Sequence, residues 1–142
     1  MHTLIYHSIS QNECSDDELE LFLTTIRKKN ITLDVTGILL YHDGQIIQIL
    51  EGEKDTIINL FEEIKIDKRH FGVVELINFK MEDRACRDWS MAFKKASKKD
   101  WLKIEGYLNF NSNIQQNILM EQTKNRTYLK MLIDSFVDLN LN

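Results

Sequence analysis

Apolar and polar positions alternate at the start of the chain. Thr3-Leu4-Ile5-Tyr6-His7-Ser8-Ile9 is rich in strand-favouring types and predicts a first strand. Ser15-Asp16-Asp17-Glu18 comes next. A Ser followed three residues later by Glu is a capping box, and acids suit the positive end of a helix dipole. Behind it Leu19, Phe22, Leu23 and Ile26 recur at i, i+3, i+4 and i+7, one face of a helix. Arg27-Lys28-Lys29 is expected to give this helix a basic C-terminus, and Asn30 its stop. Val35 to Tyr41 predicts a second strand, and the Asp-Gly signal in His42-Asp43-Gly44 folds Gln45 to Leu50 back on it as a hairpin. A second helix carries Ile57, Leu60, Phe61 and Ile64 at the same spacing, closed by Asp67-Lys68-Arg69-His70. Val73 to Phe79 is a fourth strand and Trp89 to Phe93 a short fifth.

The order strand–helix–strand, strand–helix–strand is an α+β chain and suggests the ferredoxin-like βαββαβ arrangement with a fifth strand added. In that topology the first and third strands are neighbours at the sheet centre. Strand parity then puts Leu4, Tyr6 and Ser8 on one face, beside Ile46, Gln48 and Leu50. Ile5, Ile47 and Ile49 fall on the other face, which is also apolar and must also be covered. The cover is expected from two or three C-terminal helices. One holds Trp101, Leu102, Ile104 and Leu108. After a break at Asn111-Ser112-Asn113, others hold Ile114, Ile118 and Leu119, then Tyr128, Leu129, Leu132, Ile133 and Phe136. The expected division is a domain over 1–96 and a helical extension over 97–142.

Composition narrows the function classes. The chain has 142 residues, no Pro and five Gly, which excludes collagen-like and Pro/Gly-rich disordered chains. A net charge of −4 argues against a dedicated nucleic-acid binder. No apolar run approaches the ~18 residues of a membrane helix. Met1-His2-Thr3 has neither the basic start nor the cleavage site of a secretory leader, so a cytoplasmic protein is expected, with no membrane partner. Cys14 and Cys86 show no ligand spacing, and in a reducing compartment a free, buried Cys is the ordinary reading. His2, His7, His42 and His70 are not at metal-ligand spacings, so no metal site is expected. Phosphate-binding glycine loops and nucleophile elbows are absent.

The residues singled out below each have an ordinary reading. A central-strand Tyr6 is core with its hydroxyl satisfied. A central-strand Gln48 is rarer, because a buried amide is costly unless fully bonded. Asn30 is a helix cap, Trp89 and Met91 are packing, and His70 is a helix-end cation.

What raises them together is a set of short strings. They are Leu4-Ile5-Tyr6-His7-Ser8, then Asn30 shortly before Val35-Thr36-Gly37-Ile38-Leu39-Leu40-Tyr41, then Gln48-Ile49-Leu50-Glu51-Gly52, Asp67-Lys68-Arg69-His70, and Trp89-Ser90-Met91. In this order and at these separations, over about residues 1 to 95, the chain resembles the BLUF family of blue-light sensors using flavin, in its short stand-alone form. The resemblance implies a flavin, usually FAD, held noncovalently between the two helices over the sheet. It implies that Tyr6 is the photochemical electron and proton donor and Gln48 the hydrogen-bond switch near flavin N5 and C4=O. Asn30 would bond the ring near C4=O, and Trp89 and Met91 on the fifth strand would read the switch. Ser8 would support Tyr6. Asp67 and His70 would contact the ring or ribityl chain from the second helix, and Ile64 would pack on the ring. Arg69 would be an exposed partner of the phosphates or of a neighbouring acid.

The chain departs from the family pattern at three places. Lys29 stands where Asn or His is frequent, Ile26 where a small polar residue is, and Glu63 where some members have a base. A Glu there opposes phosphate, so FMN or riboflavin could compete with FAD. With no effector domain following, output is expected through the fifth strand and C-terminal helices to an unidentified protein partner or to a homodimer or larger homo-oligomer. The rival readings are a flavin-dependent redox enzyme and a colourless ferredoxin-like binding or scaffold module. The first lacks an evident proton-donor set. The second would show aromatics and basic residues on the open sheet face, where Ile5, Ile47 and Ile49 stand.

Overall fold

A computed structural model describes residues 1–12, 14–108, 129–130 and 132–134. Strand β1 (His2–Ser10) leads to helix α1 (Asp16–Leu33). Ser15 caps α1 by accepting from the Glu18 amide, and its hydroxyl donates to the Glu18 carboxylate. Strands β2 (Thr36–His42) and β3 (Gln45–Gly52) form the expected hairpin. Asp43 and Gly44 both take positive φ (47° and 80°), as a tight two-residue turn requires. Helix α2 (Lys54–Ile66), strand β4 (His70–Lys80), strand β5 (Ala92–Lys95) and helix α3 (Lys98–Leu108) follow.

The sheet order is β4-β1-β3-β2-β5, so β1 and β3 are central neighbours. The first four strands pair antiparallel, and β5 runs parallel to β2. Each sheet face carries its own core. On one, Leu4, Tyr6, Leu39 and Leu50 pack under Leu19 and Leu23 of α1 and Ile57, Leu60 and Phe61 of α2. On the other, Ile5, Ile38, Ile47, Ile49 and Phe79 pack against Trp101 and Ile104 of α3 and against Leu129 and Leu132. The second face is therefore covered by the C-terminal segment. Leu102 of the same helix is exposed. Residues 109–128 and 135–142, with the predicted helical positions Ile114, Ile118, Leu119, Tyr128 and Phe136, lie outside the described residues, as does the Leu108 side chain.

Three boundaries differ from expectation. Asn30 does not stop α1, which runs one turn further to Leu33. There Asp34 adopts the left-handed conformation (φ 55°) that short polar side chains tolerate, and its N–H returns to the Asn30 and Ile31 carbonyls. The run 27–29 is consequently not in the last turn, which holds no basic residue. His70 does not end α2: the chain leaves the helix at Asp67, and His70 opens β4 opposite Ser10. Trp89, Ser90 and Met91 precede β5 rather than lie on it, because the parallel register with β2 begins at Ile38 opposite Ala92.

Gly37 on β2 is fixed by close approach. A Cβ there would lie 1.8 Å from the Ile49 carbonyl oxygen and 3.4 Å from the Met91 methyl.

Candidate functional site

Between α1, α2 and the sheet face they cover lies a cavity of about 650 Å³. Its floor follows from strand register. Tyr6 and Gln48 are directly opposed on β1 and β3, both on the helix side. Each is only 3 % exposed, so each polar group needs a partner. The Tyr6 hydroxyl donates to Gln48 Oε1, and Gln48 Nε2 donates to the Met91 thioether sulfur at 3.4 Å. These bonds fix the amide: its oxygen faces the phenol, and its NH₂ faces a sulfur that can only accept. Burial lifts the Tyr6 phenol well above the ordinary tyrosine range, and the Asp67 carboxylate adds to the effect. Tyr6 therefore keeps its proton in the resting state. Phe61 lies against its ring (centroids 5.6 Å) and His70 meets it edge-on (6.3 Å, 79°).

Met91 is the inward-facing member of the 89–91 pair, 1 % exposed in the helix-side core. Trp89 packs against the core of the opposite face. The chain thus crosses from one face of the sheet to the other between Cys86 and Met91. Three successive carbonyls are held on the way. Trp89 O accepts from Gly37 N–H, Ser90 O from Asn30 Nδ2 and Met91 O from Arg27 Nε, each at 2.9 Å. Asn30 is buried, gives one amide hydrogen to Ser90 and lines the cavity.

The far wall comes from the α2–β4 junction. His70 Nε2 meets the Ile64 carbonyl (2.5 Å), which can only accept, so Nε2 carries the hydrogen. Nδ1 of the same ring lies 2.9 Å from the buried Ser8 hydroxyl oxygen, within hydrogen-bond reach. Ser8 thus meets His70, whose ring lies edge-on to Tyr6. Asp67 accepts from Arg69 through its side chain and backbone N–H, which holds its carboxyl down at about 2. Arg69 in turn lies over Phe22, 4.6 Å from the ring centroid. Lys29 of α1 and Glu63 of α2 form an exposed ion pair.

Of the residues expected to hold the flavin, Tyr6, Ile26, Lys29, Asn30, Gln48, Ile64, Asp67 and His70 all line the cavity. Ser8, Met91 and Trp89 do not, and reach it only through the residues above. Sequence reasoning missed the inward turn of Arg27, hidden in a basic run that looks solvated. It also missed Leu39 and Leu50 as wall residues, although strand parity puts them beside Gln48. Among the described residues no group of three or more His, Cys, Asp or Glu is placed to hold a metal, and no helix is long and apolar enough to cross a membrane.

The donor set fits a flavin ring. A planar heteroaromatic with donors and acceptors along one edge needs an apolar slot and opposing amides. Here Ile26 and Ile64 of the helices and Leu39 and Leu50 of the sheet supply the apolar surface, with the Tyr6 phenol and the Gln48 carboxamide on the sheet and the Asn30 carboxamide on α1.

Comparison with known proteins agrees with this geometry. Residues 1–92 match the family described as BLUF, sensors of blue-light using FAD. Photoactivated adenylate cyclase subunit beta of Euglena longa is 36 % identical over 90 residues, 63 % of this chain but 10 % of that protein. The chain thus spans about a tenth of that relative's length. The structure of BlsA in its photo-activated state superposes with a TM-score of 0.67 at 30 % identity, covering 93 % of this chain and 94 % of the other. BlrP1 of Klebsiella pneumoniae, solved with FMN and cyclic diGMP, gives a TM-score of 0.63 at 32 % identity, covering 80 % of this chain and 31 % of that one.

Proposed function

The chain belongs to the BLUF family, residues 1–92 being its blue-light photoreceptor domain, and from that premise we propose how its residues make the light switch. Flavin binding is implied by the family. We assign FAD as the ligand, with FMN and riboflavin as competitors, since the Glu63 carboxylate ties up Lys29 instead of leaving it for phosphate. Bound flavin supplies the blue-light absorption and an electron-accepting excited state.

The rest is the chain's own chemistry. Tyr6 is the electron donor. Its phenol holds a proton firmly at rest and becomes strongly acidic only when oxidised, so loss of an electron drives that proton along its bond to Gln48. When electron and proton return to Tyr6, the Gln48 amide is left reversed, by rotation or tautomerism. By rotation, its oxygen comes to face Met91 and its NH₂ faces Tyr6; by tautomerism, the oxygen stays toward Tyr6 and becomes the donor. Asn30 orients the ring with its remaining amide groups, and Ile26, Lys29, Ile64, Asp67 and His70 hold the ring and its side chain. The observation that carries this reading is the continuous hydrogen-bonded line Tyr6–Gln48–Met91 at the cavity floor.

Residues 1–96 act as the sensor and 97–142 as its output extension. The change at the Gln48–Met91 contact passes through Trp89, on the opposite face, to α3, and from there to a protein partner or a second copy of the chain. The domain acts as a sensor and not as a catalyst. The test is an absorption spectrum of the flavin-loaded protein, dark and after blue light. A small red shift that relaxes in darkness is expected. Tyr6→Phe and Gln48→Leu should abolish it with flavin retained. A flavin that bleaches instead of shifting, or a protein that takes up no flavin, refutes the assignment.

A further inference from the structure

We propose that Arg27 is a positioning residue of the switch: by holding the Met91 carbonyl from α1, it keeps the Met91 thioether pressed against the Gln48 amide. The proposal rests on the sensor reading above and adds a residue to it.

An arginine in the middle of an amphipathic helix ordinarily lays its stem on the surface and leaves the guanidinium in water or on a carboxylate. Arg27 does neither. It is half-buried, and its Nε donates at 2.9 Å to the carbonyl of a residue 64 positions further along. Among the described residues it joins no ion pair. Its neighbours in the basic run behave differently: Lys28 is exposed and Lys29 pairs with Glu63. The acceptor is the backbone of the residue whose sulfur touches the switch.

The geometry gives this bond a specific consequence. A thioether accepts a hydrogen bond weakly and cannot donate one. With Gln48 Nε2 toward the sulfur the contact is favourable. When the amide reverses by rotation, the route this proposal takes, Oε1 faces Sδ, acceptor against acceptor. Backbone bonds at 89, 90 and 91 stop Met91 from moving away, and Arg27 supplies the last of them, nearest the side chain. The clamp therefore raises the reversed state and hastens its return. Asn30 cannot be tested for this role without disturbing the cavity, which it lines; Arg27 does not line it.

The experiment is dark recovery of flavin-loaded Arg27→Ala and Arg27→Met, the second keeping the aliphatic stem in case the first folds poorly. Both should retain the light-induced shift and recover about fivefold more slowly, the effect of relieving one weak contact. Arg27→Lys, which keeps a cationic donor, should recover within about twofold of wild type. In a Met91→Leu background, Arg27→Met should have no further effect on the rate, because its action runs through the sulfur. Amide exchange across 86–92 should be faster in Arg27→Met, in the dark and without illumination. Recovery at the wild-type rate or faster overturns the proposal, as does an additive effect on Met91→Leu. A wild-type protein with no red shift refutes the sensor reading instead, which keeps the two failures apart.

Discussion

Glu51 is the sharpest test of how the segment that carries Met91 is held. It stands at the end of β3 with its carboxylate fully buried. Oε2 accepts from Ala85 N–H at 2.6 Å and Oε1 from Cys86 N–H at 2.7 Å. Burial, with this charge beside it, pushes the Cys86 thiol far up, so the thiol stays protonated and inert. Glu51→Gln has the same shape but only one acceptor oxygen. Its NH₂ meets one of the two backbone N–H groups, donor against donor. One charge-assisted bond is lost and one buried N–H is orphaned, while relief from burying a charge offsets part of the cost. The net loss should be about 2 kcal/mol, and about 3 kcal/mol for Glu51→Ala, which removes both acceptors. At this chain length about 2 kcal/mol lowers Tm by roughly 6 °C. The assay is urea unfolding of flavin-loaded protein at fixed flavin concentration, with Glu82→Gln on the exposed part of the same connection as a silent control. Thiol labelling gives a local readout, since Cys86 is buried at rest and should react faster once its loop is released. A Glu51→Gln protein within about 0.5 kcal/mol of wild type, the range of ordinary surface substitutions, would refute the reasoning.

The remaining predictions concern other parts of the sheet and cavity. Gly37→Ala places a Cβ 1.8 Å from the Ile49 carbonyl oxygen, so β2 and β3 must separate; urea unfolding should show a loss of about 3 kcal/mol or more, and unchanged stability would disprove the close approach. The Thr3 hydroxyl is buried without a hydrogen-bond partner among the described residues, so Thr3→Val should be neutral or stabilising by up to about 1 kcal/mol, and a clear destabilisation in the same assay would mean that the hydroxyl has a partner. Asp67 is held down at about 2 from a usual 3.8, mainly by Arg69. Its folded form favours the charged state, so its contribution is full above about pH 4 and is lost as pH falls toward 2. Arg69 is mostly exposed, so the contribution is below about 1 kcal/mol. The stability difference between wild type and Asp67→Asn should shrink between pH 5 and pH 2, and a constant difference would contradict the assigned cause.

The parts of the fold legible in the sequence are those where burial is one-sided. Leu19 and Leu23 mark the inner face of α1, and Ile57, Leu60 and Phe61 that of α2, because a helix on a sheet must turn one stripe inward. Asp43-Gly44 marks the hairpin because few residue pairs take two successive positive φ values. Boundaries set by competition were harder to read. Asn30 and Asp34 are both polar residues that can end a helix. The choice falls on Asp34 because the Asn30 side chain is committed to Ser90, 60 residues away. Local propensity holds no record of such a partner. The same applies to β5, whose start is fixed by register with β2 and not by Trp89-Ser90-Met91 themselves.

For the site, parity and topology together made Tyr6 and Gln48 neighbours, and they are opposed in register. Which of Trp89 and Met91 turns inward could not be read from residues 89–91. That choice depends on donors from α1 and β2 that grip their carbonyls, and a backbone carbonyl leaves no signature in sequence. Glu51 is the opposite case, since its signal was present and went unused. Counting in twos along β3 puts 47, 49 and 51 on one face, so an acid follows two isoleucines into an apolar interior. A buried carboxylate on a central strand demands donors, and the nearest unassigned chain was the polar connection after β4. β3 therefore meets the 85–91 segment from both sides of the sheet. Glu51 takes the backbone of Ala85 and Cys86 on the face of α3, and Gln48 takes the sulfur of Met91 on the face of the cavity. One strand holds both ends of a segment that crosses from face to face. A displacement at Met91 must then either strain that crossing or carry Trp89 with it.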